Sequence, residues 1–342
     1  MEVLRALFGQ RDDGVWQIQS LMPVPLNPEN GGDHNFYPVK DDLFFADPPF
    51  IGTIRYTLGQ SIVPLVAHVP GENVLMCLGT GFFISCSGFL ITAAHVITDP
   101  IDRRYGGLRE LDDGTWYLGR LKVGVMIPTN PLAGIRGYIF REIEWASFLA
   151  ERIESPLVAK GTELKLMWDT ALCKVAPLAK GVPYQPLAIV QRGLKGIGTA
   201  IGKAVTVVGY GEMQDVELSQ ESENVISGDF RFTPHVSIGK VLQRFPDNTE
   251  ERQVSTPGAC FSTSAKLPAG MSGSPIFDDE RIYVHGVVSK SWDFERGQTN
   301  LGYGSMLAPC WSLPINPLNG KTLTELQMAG NHGIPLLSIP DA

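Results

Sequence analysis

"GTGFFISCSGFLITAAHV", residues 79–96, reads as an apolar strand, a turn of small residues and a second apolar strand that ends on a histidine. Aromatic and β-branched residues flank the turn, and such residues favour extended backbone. Ala93 and Ala94 come immediately before His95. Two small residues there let the chain turn tightly and leave the imidazole uncovered at a strand end. Read locally, His95 is either a strand-end histidine satisfied by its neighbours or a base awaiting a partner. The rest of the chain has to decide between them.

Working outward, the same texture of short strands and turns runs from residue 61 onward. "SIVPLVAHV", "VLMCLGTGFFIS" and "GFLITAA" are strand-like, followed by "TWYLGRLKVGVMIP", "YIFREIEWASFL" and "TELKLMWDTALCKVAP". A stretch marked by Gly and Pro at 177–194 reads as a linker. Beyond it come "KAVTVVGYG", "HVSIGKVLQRF", "GACFSTS", "SPIFDDERIYVHGVVSKSW" and "LGYGSMLAP". Within these, "FDDERIYVHGVV" has the form of a hairpin with Asp278, Asp279 and Glu280 at its turn. "TLTELQMAG" is predicted as a helix, with Thr322 and Glu325 at capping-box spacing and Gly330 placed to stop it. The chain holds 37 Gly and 25 Pro, more punctuation than helical bundles tolerate. The expectation is an all-β chain of barrels or sandwiches, in two sets of about six strands. The predicted divisions are an extension at 1–60, a first strand body at 61–178, a second at 179–312, and a helix and tail at 313–342. Six prolines and half of the net charge of −8 fall within the extension, which predicts little regular structure there.

Composition narrows the function classes. Hydrophobic residues make up 44% and charged residues 19%, enough for a buried core. No long Lys/Arg run is present, so nucleic acid is not an expected partner. No apolar run approaches the ~18 residues of a membrane span, so no membrane partner is expected. "MEVLRALFGQRDDG" has an early acid and no apolar stretch of signal-peptide length, which predicts a cytoplasmic protein. Cys77, Cys86, Cys173, Cys260 and Cys310 are odd in number and widely spaced, without a CxxC pair. They are expected to be buried, reduced thiols, and neither a metal site nor a cofactor is predicted.

A second short stretch raises the chemistry. "PAGMSGSPIF", residues 268–277, sets Ser272 between Gly270 and Gly273 just before an apolar run. A serine hydroxyl is a weak nucleophile until a base takes its proton and a third group fixes the tautomer of that base. Among His34, His68, His95, His235, His285 and His332, only His95 stands at such an uncovered strand end. Asp169 is a single carboxylate in the apolar segment "LMWDTALCKV". Burying it is costly without a partner, and a histidine N–H or backbone amides would serve. Asp99 lies too close along the chain to reach the far side of the imidazole easily. Gly270 and Gly273 permit a tight turn that aims the amides of Gly270 and Ser272 at one point, as an oxyanion hole requires. Ser274, followed by Pro275, is the weaker nucleophile candidate because the proline restrains its backbone.

The order His, Asp, Ser on strand-rich flanks resembles the chymotrypsin-fold serine proteases, and most of all their trypsin-like members of the HtrA type. "GTGFFISCSGFLITAAHV" resembles their Gly-x-Gly strand, turn and Ala-Ala-His ending. "DTAL" at 169–172 resembles their Asp-x-Ala-Leu. "AGMSGSP" at 269–275 resembles their Gly-x-Ser-Gly-Gly-Pro turn, with Ser274 where glycine is usual. "VHGVVSKS" at 284–291 resembles the strand lining their cleft. The resemblance covers roughly 61–310 and implies two six-stranded antiparallel β-barrels. It implies a serine endopeptidase in which Ser272 attacks, His95 carries the proton and Asp169 orients His95. Gly270 and Ser272 would form the oxyanion hole. Ser289, Lys290 and Ser291 would pair with a peptide substrate, and Lys266, Ala269, Gly302, Tyr303 and Gly304 would wall the specificity pocket. Lys266 pointing inward would select acidic side chains; a solvated Lys266 would not. Gly302 and Gly304 would leave room for a sizeable side chain.

Three departures qualify what the resemblance implies. Met271 stands where secreted trypsin-like enzymes carry an aspartate that pairs with a new amino terminus, so activation by that route is not expected. Val96 replaces the cysteine that follows the histidine in that group. The interval from His95 to Asp169, 74 residues, is longer than the family needs and predicts an insertion within 100–160 bordering the cleft. About 30 residues follow the second body, too few for a PDZ domain. The expected function is a regulated intracellular processing protease acting on a protein or peptide, with a regulatory protein partner. The alternative is a silent or partner-activated binding module on the same fold.

Overall fold

The computed structural model describes residues 5–10, 16–22, 60–69, 71–99, 109–110, 116–117, 121–128, 138–154, 162–178, 183–189, 200–222, 225–229, 232, 234–246, 254, 256–278, 283–292, 301–312, 314–315 and 318–335. The amino-terminal segment contributes two strands, β1 (Arg5–Gln10) and β2 (Trp16–Met22), which pair antiparallel. This corrects the expectation of little regular structure over 1–60, at least for these residues.

The first body is built from β3 (Ile62–His68), β4 (Val74–Phe83) and β5 (Phe89–Thr92). A two-residue pair, β6 (Arg109–Glu110) with β7 (Trp116–Tyr117), stands apart as its own small sheet. Then come β8 (Lys122–Pro128), β9 (Tyr138–Glu154) and β10 (Thr162–Val175). Hydrogen bonding runs β4-β3-β8-β9-β10-β5 and returns to β4 through Phe82–Ile91 and Phe83–Leu90. Closure leaves no free edge among these six strands. Phe82, Phe83, Phe89, Leu65, Leu90, Ile91, Met126 and Leu172 are buried inside, each contributing about 1.5–3 kcal/mol of apolar burial. Much of the stretch 100–160, where the sequence predicts an insertion, lies outside the described residues.

The second body closes as β11-β14-β15-β18-β17-β16, formed by β11 (Ala204–Tyr210), β14 (Pro234–Phe245), β15 (Cys260–Thr263), β16 (Pro275–Phe277), β17 (Val284–Trp292) and β18 (Leu301–Met306). The chain is therefore a pair of six-stranded antiparallel barrels, as its strand pattern implies. Between β11 and β14, a hairpin of β12 (Val216–Ser222) and β13 (Val225–Asp229) leaves the second barrel. It pairs with β4 at Val216–Leu75 and Glu217–Val74, and β1 then pairs with β13. Sheet membership thus crosses the division between the two halves of the chain.

The helix Leu323–Ala329 forms with the capping box of Thr322 and Glu325 and a left-handed Gly330, as read from sequence. The residues after it return to the turn before β5, where Cys86 N donates to Gly333 O and Ser87 N to His332 O, both at 3.3 Å. Cys173, Cys260 and Cys310 are buried free thiols; Cys77 is half-buried, and Cys86 is exposed, against the expectation that all five are buried. Among the described residues no helix is long and apolar enough to cross a membrane.

Met271 is fully buried in the core of the second barrel, with Val205, Val207, Phe261, Leu267, Ile276 and Val288. Packing, not an ion pair, holds the residue before Ser272. Met271→Leu, which conserves volume, is expected to cost less than about 1.5 kcal/mol in urea denaturation. Met271→Asp places a carboxylate in a pocket without a cation and is expected to lower the midpoint steeply or prevent folding. A wild-type midpoint for Met271→Asp would refute the packing account.

Candidate active site

His95 sits on the single-turn helix Ala94–Thr98 that follows β5 directly. Its side chain is 18% exposed, whereas that of Asp169 is 1% exposed. Asp169 owes its position to a break in the β9–β10 ladder. Leu166 pairs with Ala150, and the next pair is Ala171 with Phe148. Residues 167–170 of β10 therefore oppose a single residue of β9 and bulge off the ladder, and a bulge re-aims side chains. The bulge is pinned to the second barrel, because Trp168 Nε1 donates to Met306 O at 3.0 Å and Thr170 Oγ1 donates to Ser305 Oγ at 3.1 Å.

So aimed, the Asp169 carboxylate collects three donors. His95 Nδ1 lies 2.9 Å from Oδ2 and 3.0 Å from Oδ1, and the His95 amide donates to Oδ1 at 3.0 Å. The Ser289 hydroxyl donates to Oδ2, with Thr256 Oγ1 3.3 Å from Ser289 Oγ. Burial works to raise the Asp169 pKa, but the His95 hydrogen bond and charge, with Ser289 and the His95 amide, outweigh it and hold the carboxyl below its ordinary value. Burial likewise works to lower the His95 pKa. The hydrogen bond and charge of Asp169, with Asp99 adding to them, prevail over burial and Lys290 and hold the imidazole above its ordinary value. An ionised carboxylate only accepts, so Nδ1 carries the proton and Nε2 of the neutral ring presents a lone pair.

Ser272 lies in the turn before β16, half-buried, between Gly270 (φ 90) and Gly273 (φ 86). Its carbonyl accepts from Thr80 N on β4 at 2.8 Å. A Cβ on Gly273 would lie 2.0 Å from Thr80 O and 2.2 Å from Thr92 Oγ1, so glycine is needed for space as well as for φ. The Ser272 hydroxyl donates to Ser289 O at 3.3 Å, and no hydrogen bond joins it to His95. Ser289 therefore touches both Asp169, through its hydroxyl, and Ser272, through its carbonyl. Within the turn, Met271 N donates to Pro268 O, Gly273 N to Val288 O and Ser274 N to Met271 O. The amides of Gly270 and Ser272 donate to nothing among the described residues. Ser274 is fully buried, and its Oγ has no hydrogen-bond partner among the described residues.

The remaining sequence-derived site residues fall into place unevenly. Past Val288, the edge of β17 facing Ser272 has no strand partner among the described residues, while Lys290 and Ser291 pair with Tyr303 and Gly302 on the other edge. Lys290 and Ser291 are exposed and Ser289 is buried. Lys266 is exposed rather than inward, which leaves the acid-selecting alternative without support. Ala269 is exposed, and Tyr303 is half-buried. The glycines do not leave the expected room. A Cβ on Gly302 would meet Leu267 Cδ1 at 2.4 Å, and one on Gly304 would meet Ile276 Cδ1 at 2.5 Å and the Phe261 ring at 2.7 Å. That space is filled by neighbouring side chains. The sequence reading missed Thr80, Thr92, the Ser289 hydroxyl and Thr256; Ser289 was singled out only for its backbone.

No curated protein matches the chain. Among solved structures, Deg5 is similar over 75% of this chain and 88% of its own at 14% identity, with a TM-score of 0.41. The MamO protease domain from Magnetospirillum magneticum is similar over 74% and 95% at 12% identity and a TM-score of 0.40. Rv3671c protease from M. tuberculosis in its active form is similar over 76% and 82% at 19% identity and a TM-score of 0.39. Residues 79–287 match the trypsin-like peptidase domain. That span starts at the glycine opening the first stretch quoted and runs through the Ser272 turn, and on it the chain belongs to the trypsin-like peptidase family.

Proposed function

We propose that the protein is a serine endopeptidase with Ser272 as nucleophile, His95 as general base and acid, and Asp169 as the group that fixes the His95 tautomer. The observation that carries this reading is the buried Asp169 carboxylate bound to His95 Nδ1 and its amide. Nε2 takes the Ser272 proton once the hydroxyl turns from Ser289 O, and Oγ bonds to the peptide carbonyl carbon. The carbonyl oxygen becomes an oxyanion that the unused N–H groups of Gly270 and Ser272 receive. His95 then protonates the amine as the C–N bond breaks, leaving an acyl-enzyme that water hydrolyses by the same route. The unpaired edge at Ser289–Ser291 suits a peptide bound as an added strand. Free thiols suit the intracellular setting we propose. The buried Met271 leaves control to something other than a freed amino terminus, such as a protein partner.

One observation favours a second reading, a binding module or partner-activated enzyme: the Ser272 hydroxyl rests on Ser289 O instead of His95. A fluorophosphonate probe separates the two. Wild type is expected to label, and Ser272→Ala and His95→Ala are not. Labelling that survives in Ser272→Ala would refute the nucleophile assignment, and an intact wild type that never labels would support the second reading. Asp169→Asn is expected to lower kcat by on the order of 10³–10⁴ while leaving KM nearly unchanged.

The pH dependence has a definite sign. Catalysis needs neutral His95, so kcat/KM rises with pH through a pKa above the ordinary 6.5. The stabilisation of His95 by Asp169 is complete below 6.5 and fades as pH rises through that raised pKa. The stabilisation of ionised Asp169 is present above 3.8 and is lost as pH falls through its lowered value. A kcat/KM inflection below 6.5 would contradict the pairing.

Leu267 narrows the substrate. It is 3% exposed and fills the space in front of Gly302, so we assign to it the exclusion of large substrate side chains from that space. Leu267→Ala is expected to shift a peptide-library profile toward larger residues, since truncating a buried Leu leaves a cavity. An unchanged profile, or an acidic preference in wild type, would rule the assignment out.

A further inference from the structure

The Ala269–Gly270 peptide decides where the Gly270 N–H points, because a trans peptide directs its C=O and N–H oppositely. The Ala269 carbonyl is held by the backbone N–H of Glu212 at 2.7 Å. Glu212 reaches it in the left-handed region, at φ 54. Among the described residues only Asn319, at φ 58, shares that state without being glycine. Asparagine tolerates it through its short polar side chain, whereas glutamate has no such help. The Glu212 side chain is exposed, so side-chain packing does not impose the conformation. In that conformation the Glu212 N–H meets the Ala269 carbonyl.

The segment carrying that amide is fastened at both ends to β4. Tyr210 N donates to Thr80 Oγ1 at 3.0 Å. Further on, Cys77 Sγ donates to Gln214 O at 3.1 Å and Cys77 N to Asp215 Oδ1 at 2.9 Å. Gly270 lies against the same segment, since a Cβ on it would meet Tyr210 O at 3.2 Å and Glu212 N at 3.6 Å. The Gly270 carbonyl is held as well, accepting from Thr80 Oγ1 at 3.3 Å. Both peptides of Gly270 are thus referenced to the strand whose Thr80 holds the carbonyl of Ser272.

We infer that Glu212 is a positioning residue whose left-handed backbone amide latches the Ala269 carbonyl and so aims the Gly270 N–H at the developing oxyanion. The purpose assigned to that N–H rests on the serine-protease reading; its direction does not. The latch acts through the main chain, so the identity of residue 212 matters only through its tolerance of positive φ. Glycine and asparagine keep the latch, and a β-branched residue opens it.

The test uses Glu212→Gly, Glu212→Asn and Glu212→Val in the full chain, with two readouts. Glycine-selective ¹⁵N labelling reports the Gly270 amide resonance without any turnover, and peptide hydrolysis reports kcat and KM. Glu212→Gly and Glu212→Asn are expected to keep the Gly270 resonance and kcat of wild type, with a higher thermal midpoint for glycine. Glu212→Val is expected to move or split the Gly270 resonance and to lower kcat at least about tenfold, with KM changed less than about threefold. If Glu212→Val does not fold, replacing Glu212 by its α-hydroxy acid removes only the N–H and is expected to give the same two changes. An unmoved Gly270 resonance in the valine or ester variant overturns the latch, whatever happens to kcat. A wild type that hydrolyses nothing and labels with no probe, but whose Gly270 resonance moves on Glu212→Val, keeps the latch and refutes the reaction.

Discussion

Thr80 directs every polar group it has to the junction between the two barrels. Its N–H goes to Ser272 O at 2.8 Å, and its carbonyl accepts from Thr92 Oγ1 at 2.7 Å. Its hydroxyl accepts from Tyr210 N and lies within 3.3 Å of Gly270 O. The residue is fully buried, so none of these groups has water as an alternative, and an unmade bond there costs about 1–3 kcal/mol. Strand β4 belongs to the barrel that carries His95, while Ser272 and Gly270 belong to the other. Proposed base and proposed nucleophile come from separate sheets, and their relative position is only as definite as this junction. Gly273 shows how tight the fit is, with Thr80 O pressed into the space a Cβ would need.

Asp169 imposes the complementary constraint from the first barrel. A carboxylate this deeply buried must be ringed by donors, and a regular β10 would carry it past them. The four-residue bulge turns it toward His95 and Ser289, while Trp168 and Thr170, its neighbours on the bulge, tie the same stretch to β18. A local defect in pairing thereby joins the barrels and builds the charge pair. Ser289 closes the circuit, with its hydroxyl on Asp169 and its carbonyl on Ser272.

Strands such as β3, β5 and β11 were legible because they are short apolar runs, fully or nearly fully buried. His95, Asp169 and Ser272 were legible for a related reason: each is a polar residue in an apolar or small-residue setting that needs an explanation. What escaped notice had no such contrast. Thr80 is one β-branched residue in a strand where threonine is ordinary, and the partners of its hydroxyl are 130 to 190 residues away. The β12–β13 hairpin, "VELSQES" and "VISGD", is too polar to announce itself by periodicity, although it lies inside the sheet between β4 and β1. Gly302 and Gly304 suggested room because glycine lacks a side chain, yet Leu267, Ile276 and Phe261 occupy that room from other strands. Absence of a side chain at one position says nothing of what approaches it from another.

Met271 shows how the turn can be held without a charge. In secreted relatives an aspartate at this place waits for a partner, so the turn has a state in which that partner is missing. A methionine buried to 0% exposure among aliphatic and aromatic side chains has its full set of contacts as soon as the second barrel closes. The two peptides of Gly270 before it are held by hydrogen bonds from Glu212 and Thr80. Geometry that depends on packing and main-chain bonds does not titrate and does not wait for proteolysis. Within such a turn the readily movable part is the Ser272 hydroxyl, which rests on Ser289 O and needs only a side-chain rotation, not a rearranged turn, to leave it. Under the proposed function, control of such a site would fall on whatever turns that hydroxyl or fills the edge of β17 beside it that has no strand partner among the described residues.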